Sequence, residues 1–172
     1  ELKYGLEYNH NDVNSIAFGE DINTGDKDTN VFTRYPSAVS STDALGAYVY
    51  SSFKNDMGTK LFGGLRYTAN GISVRYDRAD KFTWPEEFYD GLTTENQAVT
   101  WSFGVRQDMF KKWTIQALLG SAFRSPNVDD LAKVRINSDE VSVPNLGVTP
   151  EKSINAEISI SRKLGFANIS IT

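Results

Sequence analysis

The sequence predicts an all-β chain folded as an antiparallel up-and-down meander. Three observations carry that expectation. Apolar and polar residues alternate with a period of two in several separate stretches, a helix-period stripe appears nowhere over a useful length, and the links between the stretches are by turns tight and long. Alternation with period two puts one face of an extended strand in an apolar medium and the other in a polar one.

The first strand is Leu2-Tyr4-Leu6-Tyr8, set against Lys3, Gly5, Glu7 and Asn9. Ala44 to Phe53 is a second strand, of mixed character. Leu61-Gly63-Leu65-Tyr67 against Phe62, Gly64, Arg66 and Thr68 is a third. Beyond Tyr67 the apolar parity moves to even positions (Ile72, Val74, Tyr76) across Ala69-Asn70-Gly71. A β-bulge or bend at the glycine explains this shift, and so does a turn followed by a separate short strand. Val99-Trp101-Phe103-Val105, Trp113-Ile115-Ala117-Leu119 and Ile154-Ala156-Ile158-Ile160 follow, and a seventh strand starts near Phe166.

Lys54 to Thr59, Asp108 to Lys111 and Arg162 to Gly165 are hairpin-sized links, whereas Asn9 to Asp43, Asp77 to Glu95 and Arg124 to Lys152 are long. All five prolines (Pro36, Pro85, Pro126, Pro144, Pro150) fall in the long links, as strands that need every ladder hydrogen bond require. Strict alternation of link length gathers the long links at one end of the sheet. Outer-membrane barrels are built this way, with short periplasmic turns and long extracellular loops. Tyr4, Tyr8, Tyr48, Tyr50 and Trp113, near strand ends, suit the interfacial girdles of such a barrel. A soluble β-sandwich also alternates. However, links of roughly 19 to 35 residues are uncommon in compact domains.

The 172 residues carry a net charge of −4. With a pI near 5.0 there is no basic surface for nucleic acid. A mean hydropathy of −0.40 looks too polar for a membrane protein, but only helical ones need uniformly apolar segments. No run reaches the roughly 18 apolar residues of a spanning helix, and no leader opens the chain. It is expected to start after a signal peptide or inside a longer polypeptide. Six strands and part of a seventh cannot close a membrane barrel, which needs at least about eight. The missing strands are therefore expected elsewhere in a longer protein. Cysteine is absent and His10 is the single histidine, which removes thiol chemistry, cysteine-ligated zinc and most histidine-based catalysis. No nucleophile–histidine–acid set and no phosphate-binding glycine turn is present, so no enzyme is expected.

Two stretches carry a family resemblance. Gly120-Ser121-Ala122-Phe123-Arg124-Ser125-Pro126-Asn127-Val128-Asp129-Asp130-Leu131 resembles the G-F-R-[AS]-P-N-x-x-[DE]-L signature of TonB-dependent outer-membrane receptors. Downstream, Val143-Pro144-Asn145-Leu146-Gly147-Val148-Thr149-Pro150-Glu151-Lys152-Ser153 is similar to their N-P-x-L-x-P-E-x-S box, with Pro-Asn-Leu-Gly where Asn-Pro-x-Leu is usual. Gly63 to Tyr67 agrees with barrel phrases of the family, and Leu2 to Asn14 resembles members from Bacteroidetes-type bacteria.

The resemblance implies that residues 1–172 are a segment of a transmembrane β-barrel of about 22 strands, in the bacterial outer membrane, with long extracellular loops. It implies an N-terminal plug domain, absent from this stretch, through which TonB would act. The cargo it implies is an iron chelate, siderophore or haem-related, ahead of cobalamin. The alternative is a soluble carbohydrate- or protein-binding β-domain.

The candidate ligand contacts are Arg124, Tyr35, Phe82, Trp84, Phe88, Tyr89 and His10. The resemblance places Arg124 near the plug and the ligand path, while a structural role fixing the loop exit is favoured. The aromatics suit a grip on a chelate, a corrinoid or a protein, or they pack on one another. Haem-uptake relatives usually carry an axial histidine between the boxes. Asn127 to Ser142 holds none, which counts against haem ligation by this segment. Arg66, Arg106 and Glu157 are expected on the lumen wall. The faint calcium-loop pattern at Asp21 to Asp26 lacks a third acidic ligand and a closing glutamate, so no metal or cofactor is expected. Asp129 and Asp130 have a structural explanation within the box.

Overall fold

The computed structural model describes residues 1–35, 39–79, 83–110, 112–137, 140–142, 145 and 147–172. Pro36, Phe82, Pro144 and Leu146 lie outside the described residues. In chain order the elements are β1 (Leu2–Val13), β2 (Gly19–Glu20), β3 (Lys27–Asp28), β4 (Ser40–Lys54), β5 (Thr59–Val74), α1 (Glu86–Asp90), β6 (Leu92–Met109), β7 (Trp113–Arg124), α2 (Val128–Ala132), β8 (Arg135–Asn137), β9 (Glu140–Ser142), β10 (Glu151–Lys163) and β11 (Asn168–Ile171). Seven strands form one antiparallel sheet in the order β1-β4-β5-β6-β7-β10-β11. Each long strand pairs with its neighbour in sequence, as the meander requires. Two small hairpins, β2-β3 and β8-β9, stand in the long links. No helix among the described residues is long and apolar enough to cross a membrane, which bears on helices alone.

The pairing register sorts the side chains into two faces. Leu6, Ala47, Tyr67 and Val99 stand in one row across β1, β4, β5 and β6. Phe103, Leu119 and Ala156 share a row across β6, β7 and β10. These residues belong to one continuous apolar face that nothing among the described residues covers, and Phe103 and Ile158 are 56% and 69% exposed on it. The opposite face is polar, with Glu7, Arg66, Thr100, Gln116 and Ser159 in comparable positions. Exposed apolar surface on this scale marks a face that meets something other than water.

The strands run further than their apolar alternation. Asn9, His10, Asn11 and Asp12 are polar throughout, yet they pair with 41–44 as regularly as the apolar residues below them. Where a strand rises into water the side-chain pattern lapses, but the backbone ladder does not. The parity shift in β5 has the same kind of origin. Pairing from Thr59 to Val74 is unbroken against β6, so Gly71 is neither a bulge nor a turn. Ile72 and Val74 are apolar because loop residues bury them on the polar face.

Tyr48 and Tyr50 do not join the interfacial girdle. They pair with Gly5 and Lys3 and so lie on the polar face, while Ala47 and Val49 take the apolar one. Small residues there leave room for large ones to lie flat. A Cβ at Gly104 would come 2.3 Å from the Phe62 ring, and one at Gly5 would come 2.7 Å from the Tyr48 hydroxyl. Trp113 does stand on the apolar face at the tight-turn end, with the Arg162 guanidinium 5.0 Å from its ring centre. An aromatic ring with a cation at hand suits the boundary between hydrocarbon and water.

The tight turns use backbone conformations that few residues accept. Gly58 closes the β4-β5 turn at φ 81°, and its N–H donates to the Asn55 carbonyl at 3.2 Å. Ile158 and Ser159 are adjacent on β10 but belong to opposite faces. In a full-length receptor unfolded by denaturant from lipid vesicles, Ile158→Arg is expected to cost about 2–4 kcal/mol, whereas Ser159→Arg leaves stability nearly unchanged. Equal costs for the two would refute the assignment of faces.

Candidate ligand-binding site

All three long links fold onto the polar face at one end of the sheet. They enclose a small core of Ile72, Val74, Tyr76, Trp84, Phe88, Val128, Leu131 and Ala132, with Val74 and Ala132 completely buried. Val13 at the end of β1 and Tyr35 from the first link pack against this core. The Tyr76 ring lies 4.6 Å from Trp84 and 5.3 Å, edge-on, from Phe88. Its hydroxyl donates to the Ala132 carbonyl at 3.1 Å, which ties the second link to the third. The Val134 N–H donates to the Arg34 carbonyl at 3.0 Å, tying the third to the first.

Asp129 is the charged hub of this arrangement. The Tyr35 hydroxyl donates to one carboxylate oxygen, and the Lys133 ammonium donates to the other at 2.8 Å. The Arg34 guanidinium stands 3.6 Å away. Lys133 first, and then the Tyr35 hydroxyl, holds the Asp129 carboxyl below the usual range. The same hydrogen bond raises Tyr35 above the usual phenol range.

The helix α2 that carries Asp129 is capped at its start. The Asn127 side chain accepts from the Asp130 N–H at 2.9 Å, while the Asp130 carboxylate accepts from the Asn127 N–H at 3.1 Å. This reciprocal box satisfies two backbone donors that would otherwise lack partners. Asn127 and Asp130 stand at the required spacing in the sequence, so the helix was legible there although only strands were expected. In α1 the equivalent signal is Pro85 followed by Glu86 and Glu87.

Arg124 ends β7, directly opposite Glu151 at the start of β10. Its guanidinium donates to Glu151 at 3.0 Å and to Asp130 at 2.8 Å. Residues from both boxes thus meet in one ion pair where two strands leave the sheet. Among the rest of the first box, Phe123 lies in β7 on the apolar face, Ser125 and Pro126 lead out of it, and Asn127 caps α2. In the second box, the Asn145 side chain accepts from the Gly147 N–H at 3.0 Å, and Pro150 precedes β10.

The aromatic candidates divide. Trp84 and Phe88 are buried, at 8% and 6% exposure, within the loop core. Tyr89 is half-buried; its hydroxyl accepts from the Trp84 N–H at 2.7 Å, and the Arg78 guanidinium lies 4.4 Å from its ring centre. Arg78 in turn donates to Glu86 at 3.0 Å, holding that carboxyl below the usual range. His10 stands on the apolar face above Tyr8, with Nδ1 2.8 Å from the Asp43 carboxylate. On the wall, Arg66 donates to Glu7 at 2.7 Å and Arg106 to Asp108 at 3.1 Å. Glu157 stands on the same face in β10. Asp21 spends its carboxylate on the backbone N–H groups of Asn23 and Thr24, at 2.8 and 3.3 Å. Tyr76, Asp129, Lys133 and Arg34 were not among the candidates. The contacts of Tyr76 with Ala132 and of Tyr35 and Arg34 with Asp129 join residues far apart in sequence, although Lys133 stands only one helical turn from Asp129.

The sequence profile of the family described as TonB dependent receptor-like, beta-barrel matches residues 1–172. The chain belongs to this family. Among solved structures, it is similar to the copper transporter OprC, with a TM-score of 0.72 and 17% identity over 94% of this chain. It is similar to the Serratia marcescens hemophore receptor HasR, solved with its hemophore HasA and heme, with a TM-score of 0.68 and 13% identity over 94% of this chain. It is also similar to the FrpB iron transporter from Neisseria meningitidis, with a TM-score of 0.63 and 22% identity over 98% of this chain. The chain spans 24%, 26% and 25% of those three chains respectively, so it corresponds to about a quarter of each. No curated protein sequence matches it.

For a TonB-dependent receptor barrel the apolar face is the one that meets the lipid of the Gram-negative outer membrane. The polar face then lines the lumen, and the loop core sits over the lumen wall at the extracellular end. Because Asp129 has a lowered pKa when folded, its support for the loops is present above the ordinary carboxylate range. That support is lost as pH falls through the lowered value. Amide exchange at 128–134 in a full-length receptor, corrected for intrinsic rates, should show protection at neutral pH and release on acidification. Asp129→Asn should release these amides already at neutral pH and remove the acid step; an unchanged acid step would exclude Asp129 as its origin.

Proposed function

We propose that this chain forms part of the wall and outer loops of a receptor for TonB-dependent, energy-coupled uptake of a metal chelate across the outer membrane. The observation that carries the proposal is the convergence of three long links into one packed core over the lumen-facing side, in a chain of this family. Such a cover places side chains where a ligand would enter while the barrel wall holds them in place. The role is transport, not catalysis. The plug, the remaining strands and the segment that engages TonB belong, in this reading, to the rest of a longer protein.

An iron chelate, siderophore or haem-related, is the favoured cargo, ahead of cobalamin. A copper transporter, a hemophore receptor and an iron transporter among the similar structures support a metal-bearing cargo. Direct haem ligation by this segment is disfavoured, since its one imidazole, His10, stands on the outward side of the sheet, away from the polar face that carries the loop core, and pairs with Asp43. Arg124, Tyr35 and Tyr89 present polar atoms at the loop cover and are the proposed ligand contacts, together with Phe82. Trp84 and Phe88 serve by holding the loop that carries Tyr89.

Uptake into iron-starved cells bearing the full-length protein in place of their own receptors tests this directly. Ferric siderophores and haem are expected to accumulate only when TonB is intact, and deleting 82–89 should lower uptake at least severalfold. TonB-independent accumulation would defeat the transport reading. Normal uptake after the deletion would remove the aromatic loop from it.

A further inference from the structure

The β6-β7 and β10-β11 turns lie side by side at the tight-turn end of the sheet. Arg162 stands opposite Trp113, and just beyond them the Lys163 N–H donates to the Lys112 carbonyl at 2.8 Å. Met109, Trp113, Arg162 and Ile169 form the last row of the apolar face at this end. The row before it holds Ile115, Ile160 and Ile171. Towards the tight turns, Arg162 is therefore the first cation met on leaving the hydrocarbon belt along β7 and β10. Its side chain starts on the lipid side, and Lys112 and Lys163 lie one step further, at the rim itself.

These charges are not spent within the protein. The Arg162 guanidinium lies 5.0 Å from the Trp113 ring centre, and a ring offers it no hydrogen-bond oxygen. The ion pairs among the described residues include neither Arg162 nor Lys112 nor Lys163. No carboxylate occurs from Met109 to Trp113 or from Ser161 to Asn168. Asp108, just before the first turn, stands on the polar face, where Arg106 and Thr114 hold it. Two phenyl rings flank the cations. Phe110 and Phe166, one in each turn, are 86% and 94% exposed, so neither ring is used in packing the turns themselves. Phe110 keeps its ring although its φ is 47°, a conformation that glycine adopts at less cost.

We propose that this rim binds the phosphate of an anionic phospholipid in the periplasmic leaflet. Arg162 is the principal contact, Lys112 and Lys163 stand beside it, and Phe110 and Phe166 lie among the acyl chains. In an outer-membrane barrel the tight turns are the periplasmic ones, and the leaflet on that side is built of phospholipid. A guanidinium presents paired N–H donors that match phosphate oxygens, and here no carboxylate competes for them. A headgroup with its own ammonium would find no carboxylate at these turns to receive it, so net negative charge is preferred. The inference rests on the membrane placement and not on the identity of the cargo, so it stands or falls separately from the uptake reading.

Photolabelling of the full-length receptor in phosphatidylcholine vesicles is the test, with a phosphatidylglycerol probe whose acyl chain carries a diazirine close to the glycerol. Labelled peptides should include 109–113 and 161–168. Unmodified phosphatidylglycerol should compete severalfold better than phosphatidylethanolamine with the same chains. Arg162→Gln should lower labelling of these peptides severalfold while the barrel keeps its heat-modifiable migration on gels. Lys60→Gln, which removes a cation from the polar face at the same end of the sheet, should leave the labelling unchanged. Equal competition by the two lipids, labelling untouched by Arg162→Gln, or an equal loss in Lys60→Gln would each overturn the proposal.

Discussion

Hydrocarbon offers no partner to a peptide N–H or C=O, and each such group left unpaired there costs several kcal/mol, about the stability of a small domain. The ladder that joins β1 to β11 is therefore the constraint from which the other features follow; β6 pairs with β7 from Ser102 to Met109, and the next donor, the Trp101 N–H, is satisfied by the Ser121 hydroxyl. Pairing runs without a skipped residue along all of β5 against β6, and along β1 against β4. Pro85, Pro126 and Pro150 are kept out of the strands, since a proline would remove a ladder donor. Once the backbone is satisfied in this way, side chains are free to differ completely between the faces. Leu, Ile, Phe and Val meet lipid, while Ser, Thr, Gln and paired charges line the other side.

The loop cover depends on the same ladder. Because β5 and β6 continue beyond the apolar belt, Ile72 and Val74 are carried to where the links can bury them. Tyr76, Trp84 and Phe88 supply most of the ring contacts in the core, and α2 closes it from the third link. Charged contacts then choose one arrangement of loops. Arg124 joins β7 and β10 through Glu151 and also reaches Asp130 in α2, while Asp129 gathers Tyr35, Arg34 and Lys133. Exposed ion pairs of this kind contribute little stability one by one. Their value lies in fixing where two separate links meet.

Much of this was legible in the sequence, for physical reasons that also mark the limits. Lipid on one face and water on the other leave a period of two, so strands such as 99–105 and 154–160 declare themselves. In Asn9 to Asp12 both faces are wet, the period vanishes, and a strand that goes on looks like a loop. The displaced parity at Ile72 was visible but ambiguous, because burial under a loop leaves the same pattern as a bulge. Tyr48 and Tyr50 looked like girdle residues because aromatic character alone does not tell a strand's face; register does. The cap of α2 was present in Asn127 and Asp130, yet a single helical turn leaves no apolar stripe. The Tyr35–Asp129 contact spans 94 residues and follows only from the assembled sheet.

The central claim is that successive residues of one strand meet opposite media. The described strands contain no cysteine, so single cysteines can be placed at 98–106 of β6 in a cysteine-free full-length receptor and spin-labelled in lipid vesicles. Collision with oxygen, which concentrates in lipid, should peak at 99, 101, 103 and 105, and collision with a water-soluble nickel chelate at the positions between. A profile without that alternation, or one in which the odd positions are shielded from both, would contradict the membrane wall described above.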